Sequence, residues 1–164
     1  MDSIPQFLIA APTSGSGKTT VSRGLMALFV KKGLKVQPFK CGPDYIDTKY
    51  HEAVCGRPSI NLDTFMASPE HVRSLYARYS ADADVAVVEG MMGMCDGYDR
   101  DRGSSAEVAR LLGIPVVLVV DAKSAASSMA PFGACPTRFA LHTRPTPSFL
   151  VKISTSDGLP LSFA

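Results

Sequence analysis

The sequence lacks the features of a membrane-spanning or secreted protein. Its longest wholly apolar run, residues 114–120, has seven residues, far fewer than the about 20 that a membrane-spanning helix needs. The N-terminus, Met-Asp-Ser-Ile-Pro, has neither a basic segment nor a long apolar one, so it is unlike a signal peptide. These absences predict a cytoplasmic protein with no membrane partner.

Closely spaced cysteines and a strong charge imbalance are also missing. The four cysteines stand far apart without a Cys-x-x-Cys pair, which argues against a zinc site or a disulfide framework and favours free thiols in a reducing compartment. The net charge of +2 is too small to indicate a nucleic-acid partner. The length of 164 residues, 46% of them apolar, suits one globular domain.

The strongest positive signal is the segment APTSGSGKTT at residues 11–20. An apolar run precedes it and a helical pattern begins at Lys18, which is the strand–loop–helix setting of a phosphate-binding loop. Glycines permit the tight turn, and the helix N-terminus offers N–H donors to an anion. Pro12 stands where the general pattern has glycine, so an ordinary Gly/Ser turn before a helix is the alternative. The segment predicts a nucleotide site formed by Ser14, Gly15, Ser16, Gly17, Lys18, Thr19 and Thr20, with Lys18 at the β/γ-phosphates and Thr19 at Mg²⁺.

The pattern of apolar residues predicts an α/β fold with a mostly parallel sheet flanked by helices. Strands are expected at residues 7–11, 34–39, 84–88 and 115–120, and helices at 20–32, 48–54, 69–79 and 104–112. Residues 56–63 are expected to form a polar loop. Ser68, Pro69 and Glu70 are typical of a capped helix start. The first strand–helix–strand unit has the length of a parallel crossover connection.

Carboxylates follow two of these strands. Glu89 closes the strand at residues 84–88, a position where nucleotide enzymes hold Mg²⁺. Asp44 and Asp47 lie in the loop after the second strand, where an open α/β sheet binds ligands, although each is equally well read as a helix cap. Asp96 is the only carboxylate in the glycine-rich segment 90–97.

The composition changes after about residue 130. Residues 131–164 contain five prolines, eight serines or threonines and one acidic residue, and residues 149–153 are the only strand-like run. We therefore divide the chain into an incomplete ATP-binding domain at residues 1–130 and an irregular tail at 131–164, which is not expected to continue the sheet.

Residues 7–130 resemble the N-terminal part of the cobyrinic acid a,c-diamide synthases, through APTSGSGKTT, VQPFKCGPDYID, HEAVCGRPSINLD, VVEGMMGMCDG and GIPVVLVVDAKS. The resemblance implies a P-loop NTPase-like amidoligase domain that uses ATP and Mg²⁺, followed in the family by a class I glutaminase domain. It implies amidation of the a and c side-chain carboxylates of cobyrinic acid through an acyl phosphate, with ammonia from glutamine. By matching motifs it assigns Lys18 and Thr19 to phosphate and metal, Glu89 and Asp47 to metal, and Asp44, Tyr45 and Asp96 to orientation of the substrate or intermediate.

The chain also departs from this family. Family members continue for several hundred residues, and neither Cys135 nor His142 stands in a nucleophile-elbow setting, so glutamine hydrolysis is not expected and a truncated or frameshifted reading frame would explain the tail. A homodimer is among the expected assemblies. The alternatives are a ParA/MinD-like ATPase, a dethiobiotin-synthetase-like enzyme and an inactive remnant. Thr13 stands where ParA/MinD proteins carry a signature lysine, and the CGPDYID and EGMMGMCDG loops look more like the corrin amidases than like dethiobiotin synthetase.

Overall fold

A computed structural model describes residues 4–121 and the strand at residues 149–153. In chain order its elements are β1 (Gln6–Ala10), α1 (Lys18–Lys31), β2 (Val36–Cys41), α2 (Asp47–Cys55), β3 (Ile60–Leu62), α3 (Pro69–Ser80), β4 (Val85–Glu89), α4 (Ser105–Leu112), β5 (Val116–Asp121) and β6 (Phe149–Ile153).

The strands form one parallel sheet in the order β3-β2-β4-β1-β5-β6. Alternate residues of β1, β4 and β5 enter two apolar clusters, one on each face of the sheet. Leu8 and Val88 pack in the cluster that includes residues of α3 and α4, whereas Ile9 and Val87 pack in the cluster that includes Met26 of α1. Helices therefore cover both faces, which explains the nearly continuous apolar sequence of the central strands. The predicted fold class, a mostly parallel sheet flanked by helices, is confirmed.

Two expectations about strands were wrong. Residues 56–63, expected to be a polar loop, contain the short strand β3, which pairs with β2 at the sheet edge. The segment 131–164 was not expected to continue the sheet, but its strand-like run at residues 149–153 forms β6, which pairs in parallel with β5 from Val117↔Phe149 to Asp121↔Ile153. Residues 122–148 and 154–164 lie outside the described residues, and the division of the chain at residue 130 stays a prediction.

The sheet register places the ends of three central strands side by side. Ile9 of β1 is level with Glu89 of β4, and Lys40 of β2 is level with the same glutamate. Because the strands are parallel, the loops after β1, β2 and β4 leave the sheet at one edge. This edge is where open α/β sheets bind ligands.

Three of the four cysteines lie in the described part of the chain. Cys41, Cys55 and Cys95 form no disulfide with one another, and burial raises the pKa of the Cys41 thiol to about 12. Within residues 4–121, no helix combines the length and apolar character needed to cross a bilayer.

The start of α3 has the predicted caps. The Ser68 Oγ accepts a hydrogen bond from the His71 backbone N–H at 3.2 Å, Pro69 is the first helical residue, and Glu70 lies in the first turn. The side chain thus satisfies one of the N–H groups that every helix start leaves without an internal partner.

We expect Ser68→Ala to lower the free energy of unfolding by about 1 kcal/mol, because the cap is lost. Ser74→Ala, at an exposed position inside the same helix, should leave stability unchanged or raise it by a few tenths of a kcal/mol, because alanine is the better helix former. Urea denaturation of both variants measures the difference. Equal losses in the two variants would contradict the cap.

Candidate functional site

The phosphate-loop segment adopts the geometry that its glycines allow. Gly15 and Gly17 have φ values of 77° and 89°, and Gly17 directly precedes α1 without a side-chain cap. The N–H groups of the first helical turn are therefore available to an anion. Thr13 and Ser16 close the loop through their hydroxyls, 2.9 Å apart.

Lys18 lies over this loop, and two backbone carbonyl groups accept hydrogen bonds from it. Its Nζ donates to the Met92 carbonyl at 2.6 Å and to the Thr13 carbonyl at 3.3 Å, and the residue is 8% exposed. Burial, followed by the nearby Lys40 ammonium, lowers the pKa of Lys18. Among the described residues, Lys18 has no carboxylate within 4 Å, so its positive charge is available to a bound anion.

Glu89 is the centre of a buried polar cluster. Thr19 Oγ1 donates to Glu89 Oε1 at 2.6 Å, and His51 Nε2 contacts Glu89 Oε2 at 2.8 Å. The glutamate is 1% exposed. Although burial acts to raise it, the hydrogen bonds from His51 and Thr19 hold the pKa of Glu89 below its ordinary value. The carboxylate is therefore ionised, and His51 Nε2 carries the proton of their hydrogen bond.

His51 is a site residue that the sequence analysis did not assign. It is fully buried, and its second nitrogen, Nδ1, lies 3.0 Å from Ser59 Oγ. The hydroxyl fixes the ring orientation in which Nε2 faces Glu89. Both residues belong to the HEAVCGRPSINLD stretch quoted for the resemblance, but a single histidine at residue 51 gives no local signal of its distant partner.

The loop after β2 brings two carboxylates to a buried lysine. Lys40 is 3% exposed, and its Nζ lies 3.8 Å from both Asp44 Oδ2 and Asp47 Oδ2. Burial and the nearby Glu89 and Asp44 charges raise the pKa of Asp47. The Asp47 carboxylate is thus close enough to Glu89 to be affected by its charge, and Lys40 lies beside the same carboxylate.

Asp44 forms the turn that starts α2. Its Oδ1 accepts from the backbone N–H groups of Ile46 and Asp47 at 2.8 and 2.9 Å. Burial acts to raise its pKa, but these hydrogen bonds and Lys40 bring it below the ordinary value. The N-cap residue of α2 is Ile46, without a side-chain cap, so neither Asp44 nor Asp47 is the N-cap; Asp44 stabilises the turn before the helix and its Oδ2 lies near Lys40. Tyr45, next to it, is 79% exposed.

Asp96 shapes the loop after β4. Its Oδ2 accepts from the Gly93 N–H at 2.9 Å, and Gly93 packs so closely that a Cβ there would lie 2.6 Å from the Pro12 carbonyl oxygen. The Met94 N–H also donates to the Ala11 carbonyl at 2.7 Å. Asp96 thus shapes its own loop, whereas Gly93 and Met94 make the contacts between this loop and the phosphate loop.

The side chains present fit a magnesium ion bound together with phosphate. In proteins, magnesium commonly binds one or two carboxylates together with phosphate oxygens and water. The Thr19 hydroxyl and a Glu89 carboxylate oxygen lie 2.6 Å from each other. Within residues 4–121, no group of three or more His, Cys, Asp or Glu residues is arranged to hold a metal alone. The residues therefore suit a metal that a nucleotide helps to bind.

Sequence comparison matches residues 7–134 to the family described as the CobQ/CobB/MinD/ParA nucleotide binding domain. The chain is 49% identical over 126 residues to the cobyrinate a,c-diamide synthase of Salmonella typhimurium, covering 76% of this chain and 28% of that protein. It is 51% identical over 129 residues to the hydrogenobyrinate a,c-diamide synthase of Streptomyces coelicolor, covering 77% and 26%. The chain thus spans about a quarter of the length of these relatives.

Solved structures share the fold at low identity. The kinase domain of the Escherichia coli tyrosine kinase ETK superposes with a TM-score of 0.62 at 16% identity, over all of this chain and 74% of that chain. The signal recognition particle receptor FtsY of Elizabethkingia anophelis gives 0.58 at 17% identity, over 92% and 51%. Together with the matched residues and the phosphate loop, these comparisons show that the chain belongs to the family of the CobQ/CobB/MinD/ParA nucleotide binding domain.

Proposed function

We propose that this chain binds Mg·ATP and phosphorylates the a and c side-chain carboxylates of cobyrinic acid, which ammonia then converts to amides. The observation that carries the proposal is the contact of Thr19, at the end of the phosphate loop, with the buried Glu89. The substrate is inferred from the names of relatives that are about 50% identical in sequence. The match covers about a quarter of the length of these relatives, so their amidation of cobyrinate is proposed for this chain.

The chemistry requires activation before nitrogen is added. A carboxylate is a poor electrophile, and a phosphoryl group turns one of its oxygens into a leaving group. ATP would supply that phosphoryl group, and Mg²⁺ would neutralise charge on the transferring phosphate. The protein contributes positioning and electrostatic stabilisation.

Each side chain of the nucleotide site has a role in this proposal. The backbone N–H groups around Gly15 and Gly17 hold phosphate oxygens. Lys18 Nζ donates to two carbonyl groups, and its third N–H is available to the terminal phosphates. Thr19 and Glu89 hold the metal, and Asp47 adds a second carboxylate beside it. His51 keeps the Glu89 carboxylate in one orientation.

The loops after β2 and β4 face the acceptor in this proposal. Asp44 lies beside Lys40 in the loop after β2, with the exposed Tyr45 next to it in sequence, and Asp96 shapes the β4–α4 loop through the Gly93 N–H. We assign the three residues to orientation of the corrin carboxylate or its acyl phosphate. Ammonia completes the reaction, and its proposed source is glutamine hydrolysed by a glutaminase domain.

We expect Mg·ATP to stabilise the chain and Lys18→Ala to abolish the effect. At 100 times its dissociation constant, a ligand adds about 2.7 kcal/mol to the free energy of unfolding, which is visible as a rise in Tm. Lys31→Ala, at an exposed position in the last turn of the same helix, is the matched control and should respond like the wild type. An equal response from Lys18→Ala would overturn the phosphate-site assignment.

His51→Leu should raise the Mg²⁺ concentration needed for half of the Tm rise with ATP, because Glu89 Oε2 loses its donor and the carboxylate loses its fixed orientation. His51→Gln, whose amide N–H₂ can replace Nε2–H as a donor, should raise that concentration less. A titration of Mg²⁺ at fixed ATP, followed by Tm, gives the concentration for half of the stabilisation. The same Mg²⁺ requirement in Leu and Gln variants would contradict the positioning role.

The reaction itself is tested with cobyrinic acid, Mg·ATP and hydroxylamine, a nucleophile that traps acyl phosphates as hydroxamates. We expect ADP release that depends on cobyrinic acid, a hydroxamate product, and loss of both in Glu89→Gln. Ammonium in place of hydroxylamine should give the amide. If the chain binds Mg·ATP but cobyrinic acid causes no ADP release, the proposed reaction is wrong.

A further inference from the structure

A largely apolar cleft opens at the carboxyl edge of the sheet, beside the phosphate loop. Its volume is about 200 Å³, and the loops after β2, β3 and β4 all contribute to its lining. The residues used in the argument below are Pro43, Asp63, Phe65, Met91, Met92 and Tyr98. Apart from Met92, whose carbonyl accepts a hydrogen bond from Lys18, none of them has a role in the nucleotide site proposed above.

The outer wall of the cleft is aromatic and unusually exposed. Phe65 is 68% exposed and Tyr98 is 51% exposed, and their rings meet edge-to-face with centroids 4.7 Å apart. Met92, in the same lining, is 43% exposed. Large apolar side chains that gather from separate loops in a concave surface are typical of ligand sites.

The contact of Met92 with Lys18 locates the cleft relative to the nucleotide. Lys18 Nζ donates to the Met92 carbonyl at 2.6 Å, and the lysine of a phosphate loop serves the β/γ-phosphates. The cleft therefore adjoins the terminal-phosphate end of the site, where the phosphoryl acceptor must lie. Met92 has a φ of 44°, a left-handed conformation that is rare for a residue with a side chain.

Charge decides how a ligand would lie in the cleft. Asp63 Oδ1 accepts from the Phe65 N–H at 2.8 Å, but Asp63 Oδ2 is buried and accepts no hydrogen bond from the described residues. This negative group repels a ligand carboxylate, whereas the Lys18 ammonium on the other side of Met92 attracts one. A ligand with an apolar body and carboxylate arms would place the body in the cleft and an arm towards Lys18.

We propose, on the basis of the function proposed above, that this cleft seats an apolar edge of the acceptor macrocycle. Phe65 and Tyr98 contact the ring, and Asp63 keeps its carboxylate arms out of the cleft. The arm to be phosphorylated is thereby directed to the terminal phosphate beside Lys18. The cleft is too small for the whole macrocycle, so the rest of the ring lies outside it.

The test is equilibrium dialysis of cobyrinic acid against the 164-residue chain saturated with Mg²⁺ and a non-hydrolysable ATP analogue. The corrin ring absorbs visible light and reports its own concentration. We expect Phe65→Ala and Tyr98→Ala to weaken cobyrinic acid binding about tenfold, the size expected for losing one buried aromatic contact. Tyr98→Phe should keep the affinity.

Met66→Ala is the matched control. Met66 is 74% exposed on the same loop and lies outside the cleft lining, so its loss should leave cobyrinic acid binding unchanged. The Tm rise caused by the ATP analogue should be equal in wild type and all of these variants, which shows that they are folded and bind nucleotide.

The possible failures are distinguishable. If Phe65→Ala and Tyr98→Ala keep the wild-type affinity for cobyrinic acid, the cleft assignment is overturned and the proposed function stands. If they lose the nucleotide response but keep cobyrinic acid, the cleft is a nucleobase site. If the wild type binds the ATP analogue and no cobyrinic acid, the proposed substrate is wrong and the cleft assignment falls with it.

Discussion

The site depends on a carboxylate buried at the end of a central strand. A buried charge is costly unless hydrogen bonds and neighbouring charges compensate it, and Glu89 is 1% exposed. Thr19 from α1 and His51 from α2 each satisfy one of its oxygens. The orientation of two helices relative to β4 is thus tied to one side chain. The same two contacts hold the carboxylate ionised, which is the form that a metal ion requires.

A second constraint joins the phosphate loop to the loop after β4. Lys18 donates to the Met92 carbonyl, the Met94 N–H donates to Ala11, and Gly93 packs against Pro12. Because Lys18 would serve both the terminal phosphates and Met92, the phosphate site and the wall of the apolar cleft share one side chain. Nucleotide and acceptor would therefore meet at Lys18, which is what direct phosphoryl transfer between them requires.

Several features could be read from the sequence because their signals are local. The glycines at residues 15 and 17 allow the turn that the loop adopts, Ser68 is followed by the residues that complete its cap, and residues 85–88 are continuously apolar because both faces of β4 are covered. The strand β3 was missed because three residues carry too little periodicity, and pairing with β2 decides its conformation. His51 was missed because nothing near it in sequence indicates a buried partner.

The sequence by itself determined the phosphate loop, the cap of α3 and the class of the sheet, since each follows from the backbone preferences of neighbouring residues. Only the tertiary structure decided which distant groups meet. Thr19 and Glu89 are 70 positions apart, and His51 and Glu89 are 38 apart, yet the Thr19 and His51 side chains both lie within hydrogen-bonding distance of the glutamate's oxygens. Strand order, rather than spacing along the chain, sets these encounters, because parallel strands that are distant in sequence end side by side at one edge.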